Sequence, residues 1–410
     1  MGETTGAPAL WHRRFAVFYT GRLVSYLGSS MTPVALSFAV LGSGRSTTDL
    51  GIVLTAGMVP ILALVLVGGS VADRFPRNRV LRLSNLGAGA AQLVAAAILL
   101  TGHYSLPAIA VTEFAGGVCT AFTTPALRGI VPQLVDRLHL RRANSLLATA
   151  RNVTKVAGPA LGGVLVATVG GGWAIAADGI SFLLAALLYH SITLPSTESS
   201  HREGVLSGVR TGWRAFLRIP WMWRVVTAFA VVNIVHAGGW LVLGPGIARQ
   251  TVGAAGWGVV LSVRAIGVLL AGLAMYRWAI PRLLTLGLLC AAVGAAPLIV
   301  LGVHASLPVL LAAALVAGAG FGVFGIAWDT TMQENVPRPL LSRMAAFDDF
   351  GSYLGIPIGE LLAGPLAGAF GDQAVVLAGG LVLACAALVP LRSPVVRGMR
   401  HPPASVPENP

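Results

Sequence analysis

Apolar residues run along this chain in blocks of about twenty, separated by short polar or glycine-rich breaks. Twelve blocks can be counted. The first six lie at about 14–41, 49–72, 80–101, 106–128, 150–169 and 173–194. The second six lie at about 222–246, 255–276, 283–302, 307–329, 345–369 and 373–391. Blocks of this length match the hydrocarbon thickness of a bilayer. Lipid offers no partner to an open sheet edge, so each is expected to be a helix.

The breaks are patterned too. Gly42–Thr48, Gly102–Ser105, Gly170–Gly172, Val303–Ser306 and Gly371–Asp372 are short turns on one side. The longest connection, Pro195–Pro220, carries Leu206, Val209, Trp213, Phe216 and Leu217 at helical spacing, with Arg210, Arg214 and Arg218 between them. That pattern predicts an amphipathic helix on the membrane surface. It splits the chain near its middle, and the two parts resemble each other. Gly158-Pro159-Ala160-Leu161-Gly162-Gly163 matches Gly359-Glu360-Leu361-Leu362-Ala363-Gly364. Gly69, Arg74 and Arg79 match Gly272, Arg277 and Arg282, and Val131-Pro132 matches Val336-Pro337. The three pairs fall in order at an offset of about 200 residues, as in a parallel repeat of two six-span halves. The expected organisation is a tail at 1–13, bundles at 14–194 and 221–393, a linker at 195–220 and a disordered, proline-rich tail at 394–410. The fold class is an all-α membrane protein with twelve transmembrane helices in two pseudo-symmetric six-helix bundles.

Composition agrees with this pattern. Of 410 residues, 55% are hydrophobic and 10% charged, against about a quarter charged in soluble chains. The net charge of +13 would suit nucleic acid if the arginines formed a patch. Instead they fill alternate connections, and the opposite set holds only Arg45 and Arg249. This is the positive-inside distribution, with both termini expected in the cytoplasm. The first apolar block is too long for a cleavable signal and is expected to remain as a span. Cys119, Cys290 and Cys385 each sit in an apolar block and imply neither disulfide nor metal site.

Between blocks two and three stands Gly69-Ser70-Val71-Ala72-Asp73-Arg74-Phe75-Pro76-Arg77-Asn78-Arg79. Arginines alone would serve as a retention signal, but Asp73 contributes little to topology. The order G-x-x-x-D-R-x-x-R resembles the loop 2–3 signature of the major facilitator superfamily. Pro76 and Asn78 stand where that family has a glycine and a basic residue. Gly158, Pro159, Gly162 and Gly163 in block five resemble the glycine-proline motif of the superfamily's drug exporters. Thr124-Pro125-Ala126, Asp178-Gly179-Ile180-Ser181-Phe182 and Gly364-Pro365-Leu366-Ala367-Gly368 resemble the subgroup of macrolide-efflux proteins and siderophore exporters. The resemblance implies that spans one, four, seven and ten line the path and that span five packs against span eight. It also implies a gate: Asp73, oriented by Arg74 and Arg77, against the start of span eleven near Arg343–Phe347.

The energy source is the next question. No G-x-x-x-x-G-K-S/T loop occurs, and Lys155 is the chain's single lysine, so no nucleotide cradle can be built. Neither H-E-x-x-H nor G-x-S-x-G occurs, and an enzyme is not expected. His190 and His236 are the histidines inside spans. A secondary carrier driven by a proton gradient remains, needing no cofactor and no metal. Its expected partners are the lipid bilayer, a small-molecule substrate and protons, with no nucleic acid, and it is expected to act as a monomer. Ionisable residues within spans are the candidates for the work. They are Glu113, Glu360, Arg264 and Arg22. In the resembling exporters an arginine on span four precedes a glycine; if Gly117 is that glycine, Glu113 takes the arginine's place. Arg264 and Glu360 could alternatively form a buried ion pair that holds two helices together. Asp178, on a peripheral span, is expected to cap or pair locally. The function expected is efflux of a small amphipathic compound by alternating access. The alternatives are an importer or facilitator, or a sensor of the same shape.

Overall fold

The computed structural model describes residues 11–74, 76–136, 139–192, 213–214, 216–277, 280–303 and 306–399. Among them are helices and no strands, and twelve helices are long and apolar enough to cross a membrane. Spans one to six are Arg13–Gly42, Thr47–Leu64, Arg77–Leu100, Leu106–Thr123, Arg142–Val169 and Gly171–His190. Spans seven to twelve are Pro220–Thr251, Gly253–Met275, Leu283–Gly302, Leu307–Asn335, Phe347–Phe370 and Asp372–Arg392. The helix of span five starts earlier than hydropathy suggests, at Leu140, because its first turns carry Arg141, Arg142 and Arg151.

Three spans are interrupted, each next to a proline. Span nine breaks between Val293 and Ala296, and Pro297 cannot donate to the carbonyl four residues back. Span eleven belongs to a helical segment that breaks at Leu354, between Arg338–Tyr353 and Gly355–Phe370, where Pro357 has the same effect. Span seven widens into a π-helical stretch, Ala237–Leu243, before Pro245. Such stretches recur at functional sites. Spans five and eleven end on matching glycines, Gly170 at φ 94° and Gly371 at φ 85°. Residues with a Cβ rarely adopt this backbone, and both turns were legible as glycine breaks.

The chain divides into two compact units. The N-terminal unit comprises Met1–Ala39 and Ala56–Ser200. Its core includes Phe15, Phe18, Leu81, Ile130, Tyr189 and Ile192, all buried. The C-terminal unit comprises His201–Pro410 and also Val40–Thr55, the end of span one and the first turns of span two. Span two is therefore shared, which differs from the expected division at residue 194. Of the expected linker, residues 195–212 and 215 lie outside the described residues. The expected disorder after Pro394 gives way to a short helix, Pro394–Gly398, anchored by Val396 at 0% exposure; 400–410 lie outside the described residues.

Candidate functional site

In the N-terminal unit, span six brings Asp178 to a buried position at 1% exposure. Thr32 of span one donates its hydroxyl to Asp178 Oδ2 at 2.6 Å, and Ser181 donates to Oδ1 at 3.4 Å. Gly28 makes room for this: a Cβ there would lie 2.1 Å from Ser181 Oγ and 2.6 Å from Asp178 Oδ1. The local pairing expected for Asp178 is thus a bond between two spans. Glu113, on span four, is half-buried, close enough to Asp178 for the two charges to interact. No hydrogen-bond partner holds Glu113 among the described residues; a Cβ on Gly57 would lie 3.6 Å from its Oε2. One turn on, Gly117 meets span two directly, where a Cβ would fall 2.1 Å from the Gly57 carbonyl oxygen. Arg22 of span one lies over the Tyr26 ring at 4.0 Å, with its Nε buried and unpartnered.

The exporter-like glycines of span five also pack on span one. A Cβ on Gly158 would lie 2.3 Å from Ser30 Oγ, and one on Gly162 would lie 2.9 Å from the Met31 carbonyl oxygen. Gly163 is buried beside them, and Pro159 stays within a continuous helix, Leu140–Val169.

The loop motif divides. Gly69, Asp73 and Arg74 form the end of the helix Thr47–Arg74, but their side chains, and the expected gate near Arg343, lie outside the described residues. Arg77 is half-buried and Arg79 exposed at the start of span three. Asn78, where the family has a basic residue, donates to the Ile192 carbonyl at 2.7 Å. Arg82, one turn on, donates to His190 Nδ1 at 2.6 Å. Both tie span three to the end of span six.

In the C-terminal unit, Glu360 of span eleven is 3% exposed. Its partner is Thr55 of span two, whose hydroxyl donates to Oε2 at 3.1 Å. The two helices touch backbone to backbone. A Cβ on Gly51 would fall 2.1 Å from the Glu360 carbonyl oxygen, and one on Gly364 would fall 2.1 Å from Thr48 Oγ1 and 2.5 Å from Thr48 Cα. Arg249 of span seven donates to the Leu41 carbonyl on the same side.

Arg264 does not pair with Glu360. Its Nη2 donates to His236 Nε2 at 2.9 Å, and its guanidinium lies 5.5 Å from the ring centres of both Trp240 and Phe321. Arginine has no lone pair to offer, so His236 accepts at Nε2 and carries its proton on Nδ1. A line of rings leads away from this cluster. Phe321, Phe324 and Trp328 follow one face of span ten, Phe229 stacks on Phe324 at 3.8 Å, and Trp221 meets Trp328 edge-on at 5.7 Å. Trp328 donates from Nε1 to Asp348 Oδ2 at 2.7 Å.

Several partners were invisible at the level of sequence. Thr32 and Thr55 read as ordinary small polar residues in spans, and their partners are distant in the chain. Asp348 lies at the edge of an apolar block beside Asp349, and that doubled carboxylate was the available signal. No group of three or more His, Cys, Asp or Glu among the described residues could hold a metal.

A family described as "Transmembrane secretion effector" matches residues 4–406 of the chain. The multidrug efflux pump Tap of Mycobacterium tuberculosis (strain ATCC 25618 / H37Rv) is 29% identical over 393 residues, 92% of each chain. The enterobactin exporter EntS of Salmonella typhimurium is 26% identical over 364 residues, 87% of this chain and 86% of its own. Among solved structures, a bacterial homologue of the human lysosomal transporter Spinster superposes with a TM-score of 0.71 at 15% identity, covering 96% of this chain and 97% of that one.

Proposed function

The chain belongs to the transmembrane secretion effector family of major facilitator superfamily transporters, and from that membership we propose that it exports a small amphipathic compound in exchange for protons, by alternating access. It is a multi-pass membrane protein. Both termini face the cytoplasm in this reading, supported by the arginine distribution. The N-terminal half of span two is then its outer half.

The observation that carries the reading is the Thr55–Glu360 bond. A carboxyl at 3% exposure, packed by glycines against the outer half of span two, is cut off from water while those helices stay together. When span two moves off, Glu360 meets water and can exchange its proton. A proton taken up there and a substrate released there would share one helix movement, which is what exchange requires. Glu113, half-buried and without a hydrogen bond, is a second point of proton exchange. Relatives named as a multidrug efflux pump and an enterobactin exporter support the outward direction.

The test is transport by the full chain in proteoliposomes with an imposed pH gradient, screened over a macrolide, a catecholate siderophore and charged dyes. Accumulation that needs the gradient and is abolished by a protonophore is expected. Glu360→Gln should fold, transport at reduced rate and lose its dependence on the gradient; Glu113→Gln should show a smaller change. Movement only down the substrate's own gradient would make the protein a facilitator. Binding without movement would make it a sensor.

A further inference from the structure

Arg264 lies about 16 Å along its helix from Gly253, at about 1.5 Å per residue, in the middle of span eight. A cation at that depth is costly to hold. Such residues normally face a carboxylate, and among the described residues none pairs with Arg264. It has one hydrogen bond, to a neutral imidazole, and two ring faces. The rings fix the direction of the guanidinium without using its N–H groups.

The unspent side-chain groups of Arg264, His236 and Trp240 are all donors. A guanidinium has five N–H groups, and one of Arg264's is accounted for. His236 keeps the Nδ1 proton that its bond to Arg264 dictates. Trp240 is 2% exposed and its Nε1–H has no partner, an arrangement that is rare in folded proteins. Three side chains with donors to spare and no acceptor between them describe the complement of an oxyanion. Arg264, His236 and Phe321 are half-buried rather than sealed, so a ligand's anionic end could reach them. Phe321 and Phe324 of span ten are half-buried, with the buried rings of Phe229 and Trp328 behind Phe324, and a flat apolar body would lie along Phe321 and Phe324.

We propose that the His236–Trp240–Arg264–Phe321 cluster is the cargo's recognition site, and that the cargo is an organic anion in which a carboxylate or similar oxyanion is attached to an aromatic ring system. The oxyanion takes two guanidinium N–H groups side by side, and the ring stacks along span ten. This deepens the efflux reading and rests on it for the word cargo; the anion site itself stands on the geometry alone.

Two xanthene dyes separate charge from shape. Fluorescein is an anion at neutral pH and rhodamine 6G a cation, on the same ring system. Their dissociation constants are measured by fluorescence anisotropy on the full chain in nanodiscs, and their transport in proteoliposomes. The wild type should bind fluorescein in preference to rhodamine 6G. Arg264→Gln should lower that preference ratio at least tenfold, and Arg264→Lys should retain part of it, because lysine keeps the charge but not the fork. The ratio is internal to each preparation, so a general loss of folding, which weakens both dyes alike, does not imitate the result. Arg264→Lys serves where Arg264→Gln does not fold. A wild type that prefers rhodamine 6G, or a ratio unmoved in both variants, overturns the site. Rhodamine 6G transported without fluorescein preference overturns the site and leaves efflux standing. Fluorescein bound with the expected selectivity but never transported supports the site and overturns efflux.

Discussion

Asp178 in the N-terminal unit and Arg264 in the C-terminal unit are both charged groups inside membrane-spanning helices, yet their surroundings differ in kind. Asp178 receives hydroxyl donors from Thr32 and Ser181, and Gly28 has no side chain to keep them apart. That arrangement fastens span six to span one. Arg264 receives one imidazole and two ring faces, and most of its donors are unspent. A buried charge that the fold has satisfied holds helices together. A buried charge that the fold has left short of partners is kept for something that arrives later.

Removing each charge should break the comparison in opposite directions. Asp178→Ala strands the Thr32 hydroxyl and opens a void between spans one and six, a loss of about 1–3 kcal/mol, visible as lower yield and a lower unfolding midpoint in detergent. Asp178→Asn keeps an acceptor of the same shape and should restore most of that stability, with transport intact. Arg264→Leu replaces an under-partnered cation by an apolar group. Its unfolding midpoint should hold or rise, while transport of an anionic substrate is lost. If Arg264→Leu destabilises as much as Asp178→Ala, the distinction between the two sites fails.

The glycine contacts sharpen the same contrast. Gly364 meets Thr48 through backbone atoms that cannot rotate away. Gly364→Val should force spans two and eleven apart, stop turnover, and raise the labelling of Thr55→Cys by an impermeant thiol reagent several-fold. Gly158 meets Ser30 within the N-terminal unit. Gly158→Ala should reduce stability with little change in labelling, because that contact joins spans five and one and does not involve the helix turn that carries Thr55. Equal labelling in both variants would mean that span two's contact with Glu360 does not open during the cycle.

What the sequence could and could not reveal follows from the range of the interactions. Spans are a local property, and hydropathy finds them because lipid leaves a helix no alternative. The breaks near Pro297 and Pro357 were not read from the sequence, because prolines such as Pro33, Pro60 and Pro159 stand within continuous helices of the same chain. Nor was the widened turn at Ala237–Leu243, because glycine pairs such as Gly238-Gly239 are common in spans. Arg264 and Glu360 were both found as ionisable residues in apolar blocks, but their pairing was not. Sequence gives depth along a helix and says little about which way the side chain faces. Glu360 turned to Thr55, 305 positions away in the chain, and Arg264 turned to His236, 28 away on the preceding span.

The smallest expected effect belongs to Asn78, where the loop motif departs from its family. Its side-chain amide donates to the carbonyl of Ile192, just beyond the end of span six, 2.7 Å away, while its own oxygen is buried without a partner. The bond gives a partner to a main-chain carbonyl of the segment that leaves span six and ties that segment to span three within the N-terminal unit. A single bond of this kind contributes about 1 kcal/mol. Asn78→Ala should therefore lower the unfolding midpoint by about 1–3 °C. Asn78→Lys, which restores the family's basic character, supplies a donor long enough to reach the same carbonyl and brings a cation to the negative end of span six. It should recover the midpoint or exceed it. Neither variant should alter the ratio of fluorescein to rhodamine 6G binding, because the bond lies in the N-terminal unit and the His236–Trp240–Arg264–Phe321 cluster in the C-terminal one. A changed ratio in Asn78→Ala would mean that the two units are coupled through this end of span six.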